Sequence, residues 1–286
     1  MRRLPPQAAW VLAVLAPLRA ADLAAALSLA EAKRLPEAQE ALAAIVAAEP
    51  KNAAACHHLG RVLGMRTDAA ALEEAVKWHG RAVELEPSNA VYVGAYGGAL
   101  LNAANKSRSL SAALKGRDML EKAIVLDPAL LDAREALFRF YYHAPWPIGS
   151  NSKAYAQLAA MRKIDPIRAD GLSVISKVDN KDYTGAFKTC EELLAADPAN
   201  YVALYQYGRT AAISGQNLER GRSCLKACLA LPPPSPAAPT PSAVWQRIGN
   251  IEEKLQRIGD ARSAYESALK LDPSNRQAQD GLARTK

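Results

Sequence analysis

The sequence predicts an all-α solenoid of about seven antiparallel helix-turn-helix units behind an N-terminal export signal. Three observations carry that reading. An acid followed by proline recurs along the 286 residues, at Glu49-Pro50, Glu86-Pro87, Asp127-Pro128, Asp165-Pro166, Asp197-Pro198 and Asp272-Pro273. The stretches between these joints are rich in Ala and Leu and lack strand-like alternation. Half the chain is hydrophobic but only 6% is aromatic, which suits close-packed helices better than one deep core.

The elements follow in order. "MRR" supplies a positive start, Ala8 to Leu18 an apolar run, and Ala20 a small residue before a plausible cleavage point, so residues 1–20 read as a signal peptide. That run is too short to span a bilayer comfortably, and no later segment approaches eighteen uninterrupted apolar residues, so no stable membrane insertion is expected after signal removal. Export suggests a bacterial periplasm. Units then run over 21–52, 53–89, 90–130, 131–166, 167–200, 201–241 and 242–275, with a polar tail able to form a closing helix. The domain reading is accordingly 1–20 signal, 21–241 repeats one to six with a Pro-rich linker at 232–241, and 242–286 the last repeat plus a capping helix.

Each joint has a physical logic. Proline cannot continue a helix, so "ALAAIVAAEP", "WHGRAVELEP", "MLEKAIVLDP", "CEELLAADP" and "AYESALKLDP" all stop at one register. Pro233 lies within the long interval between Pro198 and Pro273 and divides it into two repeat-sized pieces. In "EPKN", "EPSN", "DPAN" and "DPSN" the Asn can accept a backbone N–H at the start of the next helix. Several units exceed the common length. The extra residues are expected between paired helices, in "MRTDAAALE" and "NKSRSLSAALK", and the linker "LPPPSPAAPTPS" is expected to set the last unit slightly apart.

These residues resemble the tetratricopeptide repeat, whose pattern is W-x2-L-G-x2-Y followed by A, an aromatic, A and P. The final unit matches best, with Trp245, Ile248 and Gly249 on its first helix and Ala261, Tyr265, Ala268 and Pro273 on its second; Glu252 stands where the family has Tyr. Leu59-Gly60, Ala75, Ala82 and Pro87 repeat the pattern, as do Tyr207-Gly208, Gly221, Leu225 and Pro233, and Ala38, Leu42, Ile45 and Pro50. The resemblance covers nearly the whole chain after the signal and implies a right-handed superhelix.

The motifs of catalysis are missing. There is no G-x-S-x-G, H-E-x-x-H, P-loop, dinucleotide fingerprint or C-x-x-C-H. Glu73-Glu74, Glu191-Glu192 and Glu252-Glu253 are chain neighbours that face different ways. Cys56, His57 and His58 point about 100° apart on a helix and cannot converge on one ion; they read as one buried thiol and two partly exposed imidazoles. Cys224 and Cys228, four apart on a helix, lie about 5–6 Å apart at Cβ, too far for an unstrained bridge, so buried free thiols are expected, with Cys190 and one of that pair as the weaker alternative. The net charge of +7 includes Arg2, Arg3 and Arg19 of the signal, and the mild remainder gives no reason to expect nucleic acid. No catalytic residue, cofactor or metal is assigned, and the chain is not read as an enzyme.

A solenoid acts instead through the first helices of its pairs, which line its concave surface. In the resembled family that surface binds peptides or partner helices. The inward positions, near the fifth and ninth residues of each first helix, are His57 and Arg61, Glu135 and Arg139, Tyr205 and Arg209, and Gln246 and Asn250, with Tyr142 adding flat amphipathic surface. Gly94 and Gly98 interrupt this row. An arginine row with tyrosines suits an acidic segment or a C-terminal carboxylate. The two-lysine, two-asparagine clamp of chaperone-binding members is absent. The expected function is a non-enzymatic protein- or peptide-binding scaffold. The alternatives are a self-associating subunit of an envelope complex and, less favoured, a metal carrier or hydrolase. The island "APWPIGSNSK", Ala144 to Lys153, reads as an elongated joint anchored by Trp146, with cap oxygens at Ser150, Asn151 and Ser152.

Overall fold

The computed structural model describes residues 18–66, 68–235 and 238–285. The expected signal lies almost wholly outside them; the first described helix begins at Leu18. Among the described residues the fold is all-helical, with fifteen helices and no strand. They form two compact units, one ending at Ala154 and the other beginning at Tyr155.

In the first unit the helices are α1 (Leu18–Glu31), α2 (Leu35–Ala48), α3 (Ala53–Gly64), α4 (Ala69–Leu85), α5 (Ala90–Ser107), α6 (Leu110–Leu126) and α7 (Leu131–His143). Each packs on the next in chain order. The odd-numbered helices also pack on one another, α1 on α3, α3 on α5 and α5 on α7, whereas the even-numbered ones do not. This makes α1, α3, α5 and α7 an inner layer. The division between units falls within α8 (Asn151–Arg162).

The second unit repeats the scheme with α9 (Pro166–Asp179), α10 (Tyr183–Ala196), α11 (Tyr201–Ser214), α12 (Leu218–Leu229), α13 (Pro241–Lys254), α14 (Ile258–Leu271) and α15 (Arg276–Arg284). Here α9, α11, α13 and α15 form the inner layer.

The joints work as their sequence suggests. Asn52 Oδ1 accepts from the Ala55 N–H at 2.9 Å, while its Nδ2 donates to Glu49 at 3.0 Å. Asn89 likewise caps α5 and donates to Glu86. In the aspartate versions, Asp197 accepts from the Ala199 N–H and Asp272 from the Ser274 N–H, and Asn200 and Asn275 cap α11 and α15. Each joint therefore satisfies a free N–H of the following helix locally.

Close approach between paired helices rests on glycine where the second helix brings a bulky group. A Cβ on Gly97 would lie 2.7 Å from Leu120 Cγ and 2.9 Å from the Gly116 carbonyl oxygen, so α5 and α6 touch almost backbone to backbone. In the second unit the Tyr265 ring is wedged between Gly249 and Gly281, where any Cβ would strike it. Tyr265 is fully buried; its hydroxyl donates to the Glu253 carboxylate and lies 2.7 Å from the Asn250 side-chain amide.

Three expectations need correction. The extra length of the second and third units does not loop out between helices. It extends α4, α5 and α6 to 17, 18 and 17 residues, because "AAALE" and "SAALK" are good helix formers with Asp68 and Ser109 capping them. The proline-rich linker does not set α13 and α14 apart: α13 packs on α11 and α12, and the Tyr201 hydroxyl ties the linker down through the Pro239 carbonyl at 2.5 Å. Trp146 does not anchor its joint, being 90% exposed. The turn is held instead by Ser150 N–H donating to the Tyr141 carbonyl at 2.9 Å, by Ser150 Oγ accepting from Lys153 N–H, and by the Lys153 ammonium over the Tyr141 ring.

Candidate functional site

In the first unit, α3, α5 and α7 leave open space between them. One cleft of about 960 Å³ is lined by Gly98, Leu101, Ala113, Ala136 and Phe140, with Arg108, Arg139 and His143 among its polar residues. A second of about 440 Å³ is lined by His57, Arg61, Gly94, Asp132 and Ala133, and shares Gly98 and Ala136 with the first. A Cβ at Gly98 would meet nothing within 4 Å, so no packing within the chain calls for glycine there. Its missing side chain leaves the α5 backbone open to the cleft, a use glycine serves where a ligand approaches the main chain. The row of inward side chains is thus interrupted by Gly94 and Gly98 in sequence, and the interruption is the floor of the cleft.

The residues singled out from sequence in this unit fall around that floor. Arg61 is exposed and lies 3.5 Å from His58 Nδ1; among the described residues it has no acid partner. Glu135 and Arg139 pair with each other at 3.1 Å along one helix face. Tyr142 is half-buried and stacks on Phe138 with centroids 5.3 Å apart.

His57 is buried, which corrects the expectation of a partly exposed imidazole. It stacks on Tyr92 at 4.9 Å and meets His79 edge-on at 5.2 Å. Burial first, then the nearby His79, His58 and Arg61, push its pKa down to about 3. His79 is pushed down to about 4, again chiefly by burial. Both rings are therefore neutral at pH 7 and present an uncharged wall beside the cationic Arg61.

In the second unit Tyr205 and Gln246 are buried, and Asn250 is occupied by the Tyr265 hydroxyl. Arg209, on α11, is half-buried, and burial followed by the charge of Arg247 holds its pKa below the usual guanidinium range. Arg247 lies on α13 one residue beyond the predicted Gln246, and sequence spacing missed it. Glu252, the departure from the aromatic pattern, is buried and accepts from Arg222 at 3.3 Å, with Arg257 at 3.7 Å.

Among the described residues no group of three or more His, Cys, Asp or Glu side chains is arranged to hold a metal ion. All four cysteines are buried and unpaired. Burial pushes the Cys190 thiol up to about 12 and Cys228 up to about 11, which removes the thiolate that reactive cysteines need. No described helix is long and apolar enough to cross a membrane.

The comparisons bear on this geometry. The family model described as Tetratricopeptide repeat matches residues 242–275. The last helix pair, α13 and α14, carries that repeat's pattern. Among solved structures, a tetratricopeptide repeat protein from Parabacteroides merdae superposes with a TM-score of 0.54 at 14% identity, over 93% of this chain and 98% of that one. The yeast Tom70 structure gives 0.61 at 14% identity, over 89% of this chain and 51% of its own. At these identities the likeness is one of fold, and the family match itself is confined to the last helix pair. No curated protein matches it.

Proposed function

We propose that the chain is a non-catalytic protein-binding scaffold that holds an extended polypeptide segment across the inner faces of α3, α5 and α7. The observation that carries this is the Gly98 floor: an exposed stretch of helix backbone, flanked by clefts lined largely with apolar side chains, with no packing role for its glycine. Tetratricopeptide-type helix pairs suit the task, because stacked inner helices offer a continuous surface to an extended ligand. The segment lays an apolar side chain beside Phe140 and Leu101, and Arg61 offers its guanidinium to an acidic group. We further propose that the protein works after export, in a bacterial periplasm; the positive start and apolar run of residues 1–20 support this, and N-terminal sequencing of the protein from its native compartment tests it.

The scaffold reading is tested by capturing partners from that compartment with wild type and with Gly98→Trp, whose ring fills the cleft. A bound polypeptide should be lost from the variant while its circular dichroism and melting temperature stay unchanged. Equal capture by both proteins overturns the reading.

A further inference from the structure

The helices of the first unit turn at two edges. Neighbours pack side by side in chain order, so the turns after α1, α3, α5 and α7 share one edge. The acid-proline joints, with Glu49, Glu86 and Asp127, share the other. The first edge is unlike the second in what it shows to solvent. At the turn after α5, Lys106, Arg108 and Leu110 are exposed, Leu110 by 56%. At the turn after α7, Pro145, Trp146, Pro147 and Lys153 are exposed, and Trp146 is the most exposed large hydrophobic residue among those described. The two turns adjoin: Arg108 and Leu110 from one and His143 and Pro145 from the other line the same cleft. Met65, at the turn after α3, is exposed on this edge too. The chain has no acid from 102 to 117 or from 136 to 164, the stretches that contain both turns. Among the described residues Lys106 and Arg108 have no acid partner, and Lys153 lies over the Tyr141 ring.

A single exposed apolar side chain is ordinary. An indole and a leucine on adjoining turns, set among cations with no acid nearby, form a patch that the fold does not use. Pro145 and Pro147 fix the backbone on either side of Trp146, so the turn holds the ring outward. A ring this exposed has no pocket around it, and a partner must supply all of its surroundings. The interface of a bilayer does so without a matching cavity. The opposite edge gives the patch a direction, because its acids are repelled by the surface that attracts the cations.

We propose that the first unit docks on an anionic lipid surface by the turns after α5 and α7. The Trp146 ring and the Leu110 side chain enter the boundary between headgroups and acyl chains, where a ring with an apolar body and a polar N–H is at home. Lys106, Arg108 and Lys153 meet the headgroup phosphates. No helix enters the bilayer, so the contact is shallow and reversible. The docking asks nothing of a polypeptide in the Gly98 cleft and does not fall with that reading.

The test is co-sedimentation with vesicles of phosphatidylcholine alone or mixed with phosphatidylglycerol, using protein taken from its native compartment with its N-terminus as the cell leaves it. Wild type should bind the mixed vesicles about tenfold or more tightly than the neutral ones, and about 1 M salt should release it. Trp146→Ala should lose about tenfold in affinity, and Lys106→Gln with Arg108→Gln about thirtyfold. Two controls should stay within about twofold of wild type. Lys226→Gln with Lys270→Gln removes the same charge from exposed sites of the second unit, and Val125→Ala removes an 80% exposed side chain near the acid of the opposite edge. All of these side chains are exposed, so circular dichroism should not change. Equal binding to both vesicles, full binding by Trp146→Ala, or equal loss in the controls overturns the proposal. So does a captured protein that Trp146→Ala loses when wild type binds neither vesicle, which would give the patch to a protein partner. Hydrogen exchange gives a second reading: mixed vesicles should slow it at 106–110 and 146–149, and slowing at 49–52 instead overturns the orientation and the proposal with it.

Discussion

The inner layers of the two units share one frame and fill it differently. In the first, α5 brings Gly94, Gly97 and Gly98 into the layer, and open volume remains beside them. In the second, the matching helix α11 brings Tyr201, Leu204, Tyr205, Gln206 and Tyr207, all buried. The first unit thus offers a shaped space, and the second offers a packed wall. Helix pairing fixes where inner-layer residues sit, and side-chain size at those positions decides whether the layer stays open.

The largest expected effect tests the packed wall. Tyr265→Ala removes the ring wedged between Gly249 and Gly281 and should destabilise the second unit by about 3–5 kcal/mol in urea unfolding. A loss below about 1 kcal/mol would show that α13, α14 and α15 collapse around the gap.

Acid should then separate the units, because all four histidines lie in the first. Unfolded imidazoles take up protons near the ordinary 6.5, whereas His57 and His79 in the fold do so only near about 3 and about 4. The unfolded state therefore binds more protons across this window, and the first unit loses stability as pH falls below 6.5. By pH 5, above the usual carboxylate range, the loss should reach about 2 kcal/mol for each of the two imidazoles. Hydrogen exchange resolved along the sequence checks this: faster exchange should appear in α3 and α4 and not in α11 and α13, and His57→Phe should reduce it.

A smaller contrast lies within α5 itself. Gly97→Leu drives a side chain into Leu120 and the Gly116 carbonyl and should cost about 1–3 kcal/mol. Gly98→Ala, one residue on, meets nothing and should stabilise the helix by roughly 0.5–1 kcal/mol. Matching melting curves for the two variants would erase the distinction between floor and seam. At the bottom of the scale, Trp146→Ala should change stability by less than about 0.5 kcal/mol, since the ring is 90% exposed.

Much of the frame was legible in the chain because its signals are local. Proline stops a helix wherever it stands, and Asn52, Asn89, Asn200 and Asn275 cap through bonds three residues long. What escaped was set by distant neighbours. His57 reads as a half-polar surface residue until Tyr92 and His79, from two other helices, cover it. Glu252 reads as a defect in an aromatic pattern until Arg222, thirty residues earlier, meets it. Arg247 differs from its neighbours only by facing Arg209, a relation no spacing within α13 encodes. Trp146 invited an anchoring role by its size, but its short, proline-flanked turn leaves it facing solvent.

The Glu-Pro-x-Asn joint has an evolutionary consequence. Its acid accepts from its asparagine, and the asparagine caps the helix that follows, so the helix start is satisfied within the joint. A stretch of gene spanning one such period carries its own complete helix ends. Duplicating or deleting it leaves no orphaned backbone donor at the scar, so the number of pairs can drift by whole modules while each inner helix is free to acquire its own chemistry.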